Sequence, residues 1–329
     1  MGDTRRDGVI STTLGILAIL LWGSTIAGIR TVSEQLGALG AGACVHLIAG
    51  GIGCLVLGRR DGLRQFLRLP RTYLLGCGLL FVAYAPPLYL AIRGAASREQ
   101  TVEVAIVNYL WPAMSLALSV PILNKKARLT LLPALLLALA GVYLAMAQGR
   151  NVSWSSFRQN LTTNPMPYAM AFTAATLWAF YSNLSRRWAD GVQASPVPVF
   201  LLATGLVLLA AWWADGIRPP RQAWTPRSVL ELVYLSIFPT LLAYVFWDIA
   251  MRKGNVVLVN SLSFLIPLIS TAVSCVYLRV HAGPGLWIAS GLVVAGAIGC
   301  RMSITDGRRK VGACGPTCFA KAGPVTDRP

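Results

Sequence analysis

The chain has 329 residues, of which 55% are hydrophobic and only 12% charged, with a mean hydropathy of +0.61. Soluble domains carry about 25% charged residues, so this composition excludes a soluble globular protein and describes a chain that crosses a membrane repeatedly. The net charge of +17 would suggest nucleic acid in a soluble protein; in a membrane chain its placement carries the information, and no nucleic-acid partner is expected.

Residues 1–8 form a short N-terminal tail with Arg5 and Arg6. The apolar run behind them continues past Trp22, longer than a signal peptide's core and long enough to span. Ten spans of about 20 residues fit the apolar pattern. They are Val9–Thr31, Ala38–Leu57, Thr72–Ile92, Val102–Leu123, Leu129–Ala147, Pro167–Trp188, Pro196–Ala214, Val229–Met251, Val256–Leu278 and Gly285–Met302. A polar link, 148–166, separates a first set of five spans (9–147) from a second (167–302). Residues 303–329 read as a basic, disordered tail. Of the 29 Lys and Arg residues, 20 fall in the tails and loops on one side and 9 on the other. Positive loops face the cytoplasm, so both termini are expected inside.

The two sets repeat. Tyr109, Leu110, Pro112 and Ser115 match Phe264, Leu265, Pro267 and Ser270 at a displacement of 155, which also carries Ala140-Gly141 onto Ala295-Gly296. Leu21-Trp22 and Arg30 match Leu177-Trp178 and Arg186 at 156, and Ala91-Ile92-Arg93 resembles Ala250-Met251-Arg252 at 159. Each set has an odd number of spans, so the second must sit inverted relative to the first, an arrangement that suits alternating access.

Asn108, Tyr109, Trp111 and Pro112 stand where a membrane helix is ordinarily aliphatic. Pro112 removes a backbone donor and leaves the carbonyl near Asn108 to find another partner. Asn108, Trp111 and Ser115 share one helical face. Trp111 sits at mid-span, away from the interfacial belts, and either lines a cavity or packs its helix. Trp22 in the first span, and Trp178, Tyr181, Ser182 and Ser185 in the sixth, are further candidates. So are Tyr84 and Tyr89, which flank a Pro86-Pro87 bend in the third. The ninth span carries Asn260, Ser263, Phe264, Ser270 and Ser274 around Pro267, a stripe that either meets a solute or bonds its own helix. Pro86, Pro87, Pro112 and Pro267 are the candidate hinges. His46 is an imidazole inside the second span, the side-chain type whose ordinary titration falls between pH 5 and 8, and it either serves function or satisfies a helix contact. Asp248 can pair with Arg252 one turn on. Glu99 and Glu103 are expected beside water at the start of the fourth span. Seven cysteines form no CxxC pair and no HExxH occurs, so neither a metal site nor a cofactor is expected. An integral-membrane enzyme would need a nucleophile or carboxylate pair at depth, and none is visible.

Ten spans in two inverted halves, the Leu21-Trp22-Gly23 motif, the proline-bearing fourth and ninth spans and the repeated Ala-Gly resemble the drug/metabolite transporter superfamily, EamA type, from Val9 to Met302. Within it, Asn108 to Pro112 and the aromatic set are similar to its aromatic amino-acid exporters. The resemblance implies an all-helical bacterial inner-membrane protein, a monomer in the lipid bilayer with a central cavity. It would export aromatic amino acids and flat cations of the methyl viologen kind. A broader drug or metabolite exporter of the same superfamily is the alternative.

Overall fold

The computed structural model describes residues 2–58, 66, 69–147, 152–189, 194–216, 224–278 and 284–306, with backbone alone at 2–5, 26–31 and 274–278. The Ser274 side chain, His281, Cys314, Cys318, four of the arginines expected on the basic side (Arg59, Arg60, Arg64 and Arg68) and the tail beyond Asp306 lie outside the described residues.

Helices account for nearly all of the described chain. The first half holds α1 (Gly2–Gly23), α2 (Ile26–Gly58), α3 (Gly78–Gly94, entered through a π-helical turn at Thr72–Cys77), α4 (Arg98–Asn108), α5 (Trp111–Ile122) and α6 (Leu131–Ala147). A linking helix, α7 (Trp154–Thr163), leads to the second half. That half holds α8 (Met166–Trp188), α9 (Val197–Asp215), α10 (Pro226–Leu235), a π-helical segment at Ser236–Leu242, α11 (Ala243–Lys253), α12 (Val256–Leu262), α13 (Ile266–Leu278) and α14 (Pro284–Ser303). Eight units among the described residues are long and apolar enough to cross a membrane, and α6 is apolar but has 17 residues. With the 23-residue α8, these are consistent with ten passes. Leu55, Leu75, Leu79, Leu132, Phe172, Leu206 and Ile298 are exposed around the bundle, as side chains facing hydrocarbon should be.

The first pass departs from its expected bounds. Helix α1 begins at Gly2 and breaks at Ser24-Thr25, where both hydroxyls bond their own backbone (Ser24 Oγ to the Leu21 carbonyl, Thr25 Oγ1 to that of Trp22, both 2.7 Å). The corner into the second pass falls at Gly37, whose φ of 70° is one that glycine adopts without steric penalty.

The fourth and ninth passes break at matching points. Between α4 and α5 the chain turns at Tyr109-Leu110, and between α12 and α13 it tightens to a 3-10 turn at Ser263–Leu265. Pro112 and Pro267 are each the second residue of the helix that resumes, where a backbone N–H has no partner within the helix and its loss costs little. The third pass behaves differently. Helix α3 continues through Pro86 and Pro87, and the irregular backbone lies further back at Thr72–Cys77.

The repeated Ala-Gly pairs have a packing cause. Helices α6 and α14 lie against each other, and a β-carbon at Gly141 would come within 2.9 Å of the Ala289 carbonyl. One at Gly296 would come within 2.7 Å of Ala138 Cα. Small residues on both faces let the backbones touch, which drives helix association in lipid. Helices α2 and α9 meet in the same way through Gly50 and Gly205.

Two expectations for the polar segments are corrected. The tail does not begin at residue 303, because Ile304–Asp306 pairs antiparallel with Lys125–Ala127. Glu103 is buried rather than wet. Helix α7 folds over it, so Glu103 accepts bonds from Ser156 Oγ (2.5 Å), Asn160 Nδ2 (3.0 Å) and the Tyr168 hydroxyl. Those partners supply the hydrogen bonds that water would otherwise provide.

Candidate functional site

Four passes each send an indole to the middle of the bundle: Trp22 from α1, Trp111 from α5, Trp178 from α8 and Trp247 from α11. Trp22 stands 6.4 Å from Trp111, 5.9 Å from Trp178 and 5.2 Å from Trp247, between ring centroids. Trp111 lies 5.3 Å from Trp247, nearly perpendicular at 85°. Edge-to-face geometry matches positive ring edges to negative faces, the arrangement aromatic pairs favour. Tyr84 (4.9 Å) and Tyr181 (5.1 Å) adjoin Trp178, and Tyr244 packs 5.4 Å from Trp22. Two indole N–H groups are anchored, Trp22 Nε1 donating to the Pro239 carbonyl (3.0 Å) and Trp247 Nε1 to Ser182 Oγ (3.2 Å).

On the side of the cluster nearer α7, a cavity of about 100 Å³ is lined by Trp22, His46, Tyr89 and Tyr244 among others. Pockets that enclose a small ligand are typically ~300–1,000 Å³, so an aromatic solute enters only if these rings part. His46 binds the Gly42 carbonyl through Nδ1 at 2.8 Å and meets Tyr89 edge-on at 5.9 Å. Beside Tyr84, the buried Oδ1 of Asn108 has no hydrogen-bond partner among the described residues. A buried acceptor left open costs ~1–3 kcal/mol, which a donor on a bound solute would recover.

On the side nearer the chain termini, the bundle is closed by a buried polar knot. Asp248, fully buried, accepts bonds from the hydroxyls of Tyr73 (2.6 Å), Tyr181 (3.1 Å) and Ser195 (2.7 Å). Arg252 approaches the same carboxylate through Nε and Nη2, both at 2.9 Å. The i, i+4 pairing read from the sequence is present, but it sits inside a larger group.

The structure thus brings together Trp22, Tyr84, Trp111, Trp178 and Tyr181, with His46 and Tyr89 on the adjoining cavity. Tyr109 is half-buried at the edge of the cluster. Phe264 packs elsewhere, with Leu116, Val142 and Val293. Ser263 Oγ bonds the Val259 carbonyl of its own helix at 2.9 Å, and Ser115 takes a bond from Asn183 that ties α5 to α8. Sequence reasoning missed Tyr244 and Trp247. Their i, i+3 spacing, with Asp248 at i+4, puts them on one face of α11, and that was the available signal.

Comparison with known proteins agrees with this architecture. The EamA-like transporter family matches residues 10–147 and again 165–302. The chain is 30% identical to "Aromatic amino acid exporter YddG" of Escherichia coli (strain K12), over 90% of its own length and 98% of the relative's. The protein of that name from Ancylobacter novellus is also 30% identical, over 87% and 95%. A solved crystal structure superposes with a TM-score of 0.74 at 26% identity, covering 90% of this chain and 98% of the other. With the family matched along both halves, the chain belongs to the EamA-like transporter family and is a multi-pass membrane transporter rather than an enzyme.

Proposed function

We propose that this protein exports aromatic amino acids, with flat hydrophobic cations as secondary substrates, across the bacterial inner membrane. Both termini stand in the cytoplasm on this reading, as the 20-to-9 bias of Lys and Arg supports. The observation that carries it is the central cluster of four tryptophans, one from each of four passes. Rings that part to admit a solute offer it faces in exchange for one another. Stacking contributes about 0.5–1.5 kcal/mol per aromatic pair, and a cation over a dry indole up to ~2 kcal/mol. Two or three such contacts select planar solutes at modest affinity, which a transporter needs in order to release them. The orphan Asn108 Oδ1 suits an ammonium group, and His46 and Tyr89 lie where a solute would leave towards the periplasm.

Residues 9–147 and 167–302 act as the two inverted halves in this scheme, flanked by the cytoplasmic segments 1–8 and 307–329. The broken fourth and ninth passes, restarting at Pro112 and Pro267, supply hinges, and the π-helical turn at Thr72–Cys77 supplies one in the third. The protein works as a monomer. The names borne by the YddG relatives support the substrate class. A competition panel tests it: in everted vesicles, phenylalanine, tyrosine and tryptophan should each block labelled phenylalanine uptake, and leucine, lysine and glutamate should not. Equal competition by aliphatic and aromatic amino acids would instead describe a broad exporter.

A further inference from the structure

A second cavity, of about 200 Å³, lies where α4, α6 and α7 meet, outside the aromatic cluster. Helix α4 contributes Glu103 and Ile106, and Leu110 follows at the break, so an i, i+3, i+7 face of the fourth pass forms one wall. Tyr143 of α6 and Trp154 and Phe157 of α7 form the others. The cavity opens towards lipid. Leu132, Leu136 and Tyr143 are all exposed and recur along one stripe of α6, so the groove continues the surface that meets hydrocarbon.

Its depth can be read from the tryptophans. Trp154 is 75% exposed at the mouth of the groove and stacks on Phe157, with centroids 5.6 Å apart. The other exposed tryptophans, Trp213, Trp224 and Trp287, stand at the same end of the bundle, away from the chain termini. Indoles gathered in this way mark the headgroup level of a bilayer. From Glu103 to Leu110 the wall descends about 10 Å at 1.5 Å per residue, a third of a ~30 Å hydrocarbon core. The groove thus runs inward from the headgroups and ends one residue before Trp111. Water does not suit it, because a bound water needs about 2–4 polar partners. The one carboxylate in the lining, Glu103, is already engaged by Ser156, Asn160 and Tyr168. A solute is not enclosed either, since pockets that enclose one are typically ~300–1,000 Å³. What fits an apolar groove of this length, open to hydrocarbon along one side, is a flexible apolar chain.

We propose that this groove is a binding site for one acyl chain of a phospholipid in the leaflet on the α7 side. The tail lies between α4 and α6 and packs beside Leu110, against the break of the fourth pass. It fills space that neither water nor a neighbouring helix occupies, and so supports the flank of the turn from which the Trp111 helix restarts. The site rests on the chain being a multi-pass membrane protein and not on which solute it carries.

The test uses the purified full-length protein in detergent with a small molar excess of phosphatidylethanolamine carrying a diazirine midway along one acyl chain. After irradiation, peptide mapping should find adducts on Ile106, Leu110, Tyr143 and Trp154 about fivefold above those on Leu230 and Ile288, which are exposed at the same end of the bundle. Unlabelled phosphatidylethanolamine should compete them away. Adducts spread over all six positions in proportion to exposure would mean unselective contact with bulk lipid and overturn the proposal. Protection by phenylalanine but not by phospholipid would give the groove to a solute and overturn it equally. A second arm reads stability. Ile106→Trp fills the groove and Ile106→Val leaves it open, so added phosphatidylethanolamine should raise the melting temperature of wild type and I106V by a few degrees and that of I106W much less. Equal shifts in all three proteins would contradict a site at this position. Should I106W fail to fold, the wild-type adduct map decides alone.

Discussion

Replacing Asp248 with Asn tests what closes the bundle at the end nearer its termini. The carboxylate is fully buried and gathers Tyr73 from the turn before α3, Tyr181 from α8, Ser195 before α9 and Arg252 from its own helix. Asparagine keeps the shape and one acceptor oxygen but leaves the Arg252 guanidinium buried beside a neutral amide, with the Tyr73 ring 5.9 Å away. Removing one member of a buried ion pair costs about 3–5 kcal/mol, because the other charge stays desolvated. At ~2 °C per kcal/mol for a chain of this size, D248N should melt roughly 6–10 °C below wild type in detergent. The double variant D248N/R252Q removes the stranded charge and should recover about half of that loss. Differential scanning fluorimetry on monodisperse protein reads both. A single variant that melts within about 2 °C of wild type, or a double variant worse than the sum of the singles, would show that the knot does not hold this end together.

Three further outcomes follow from the central cluster and the helix contacts. Trp111→Ala should lower phenylalanine, tryptophan and viologen flux about tenfold per folded molecule, equivalent to ~1.4 kcal/mol, while Trp111→Phe retains much of the rate. A Trp111→Ala protein of normal yield with wild-type aromatic flux would remove this ring from the mechanism. Gly296→Val should destabilise by about 1–3 kcal/mol, because its side chain would meet the Ala138 backbone and push α14 off α6; an unchanged melting temperature would contradict that packing. Gly42→Ala places a methyl 2.7–2.9 Å from the Tyr89 ring, so it should displace the ring and alter flux without lowering yield.

Much of this architecture was legible because a bilayer imposes a length, and runs of about 20 apolar residues declare themselves. The breaks in the fourth and ninth passes could be read because Pro112 and Pro267 recur in register and each restarts a helix. Trp22, Trp111 and Trp178 stood out as indoles far from an interface. Trp247 did not, since it lies one turn before Arg252 and Lys253, where an interfacial belt residue is ordinary, and Leu88 occupies the corresponding position in the first half. Glu103 was misread for a different reason. Its partners Ser156 and Asn160 come from a stretch with no membrane signal, and the capping box that starts their helix is made by two serines, Ser153 and Ser156. Phe264 shows the limit of a repeat: it occupies the backbone position of Tyr109 and shares its packing against α5, α6 and α14 side chains, but Tyr109 also reaches the aromatic cluster and Phe264 does not.

The central claim, that the tryptophan cluster passes aromatic amino acids, is tested most directly by counterflow. Liposomes containing the purified protein are loaded with unlabelled phenylalanine and diluted into a trace of the radiolabelled amino acid. The account predicts a transient accumulation of label above its equilibrium level, supported equally by internal tryptophan and lost with internal leucine. Label that enters no faster than into protein-free liposomes, with the protein monodisperse and folded, would contradict it.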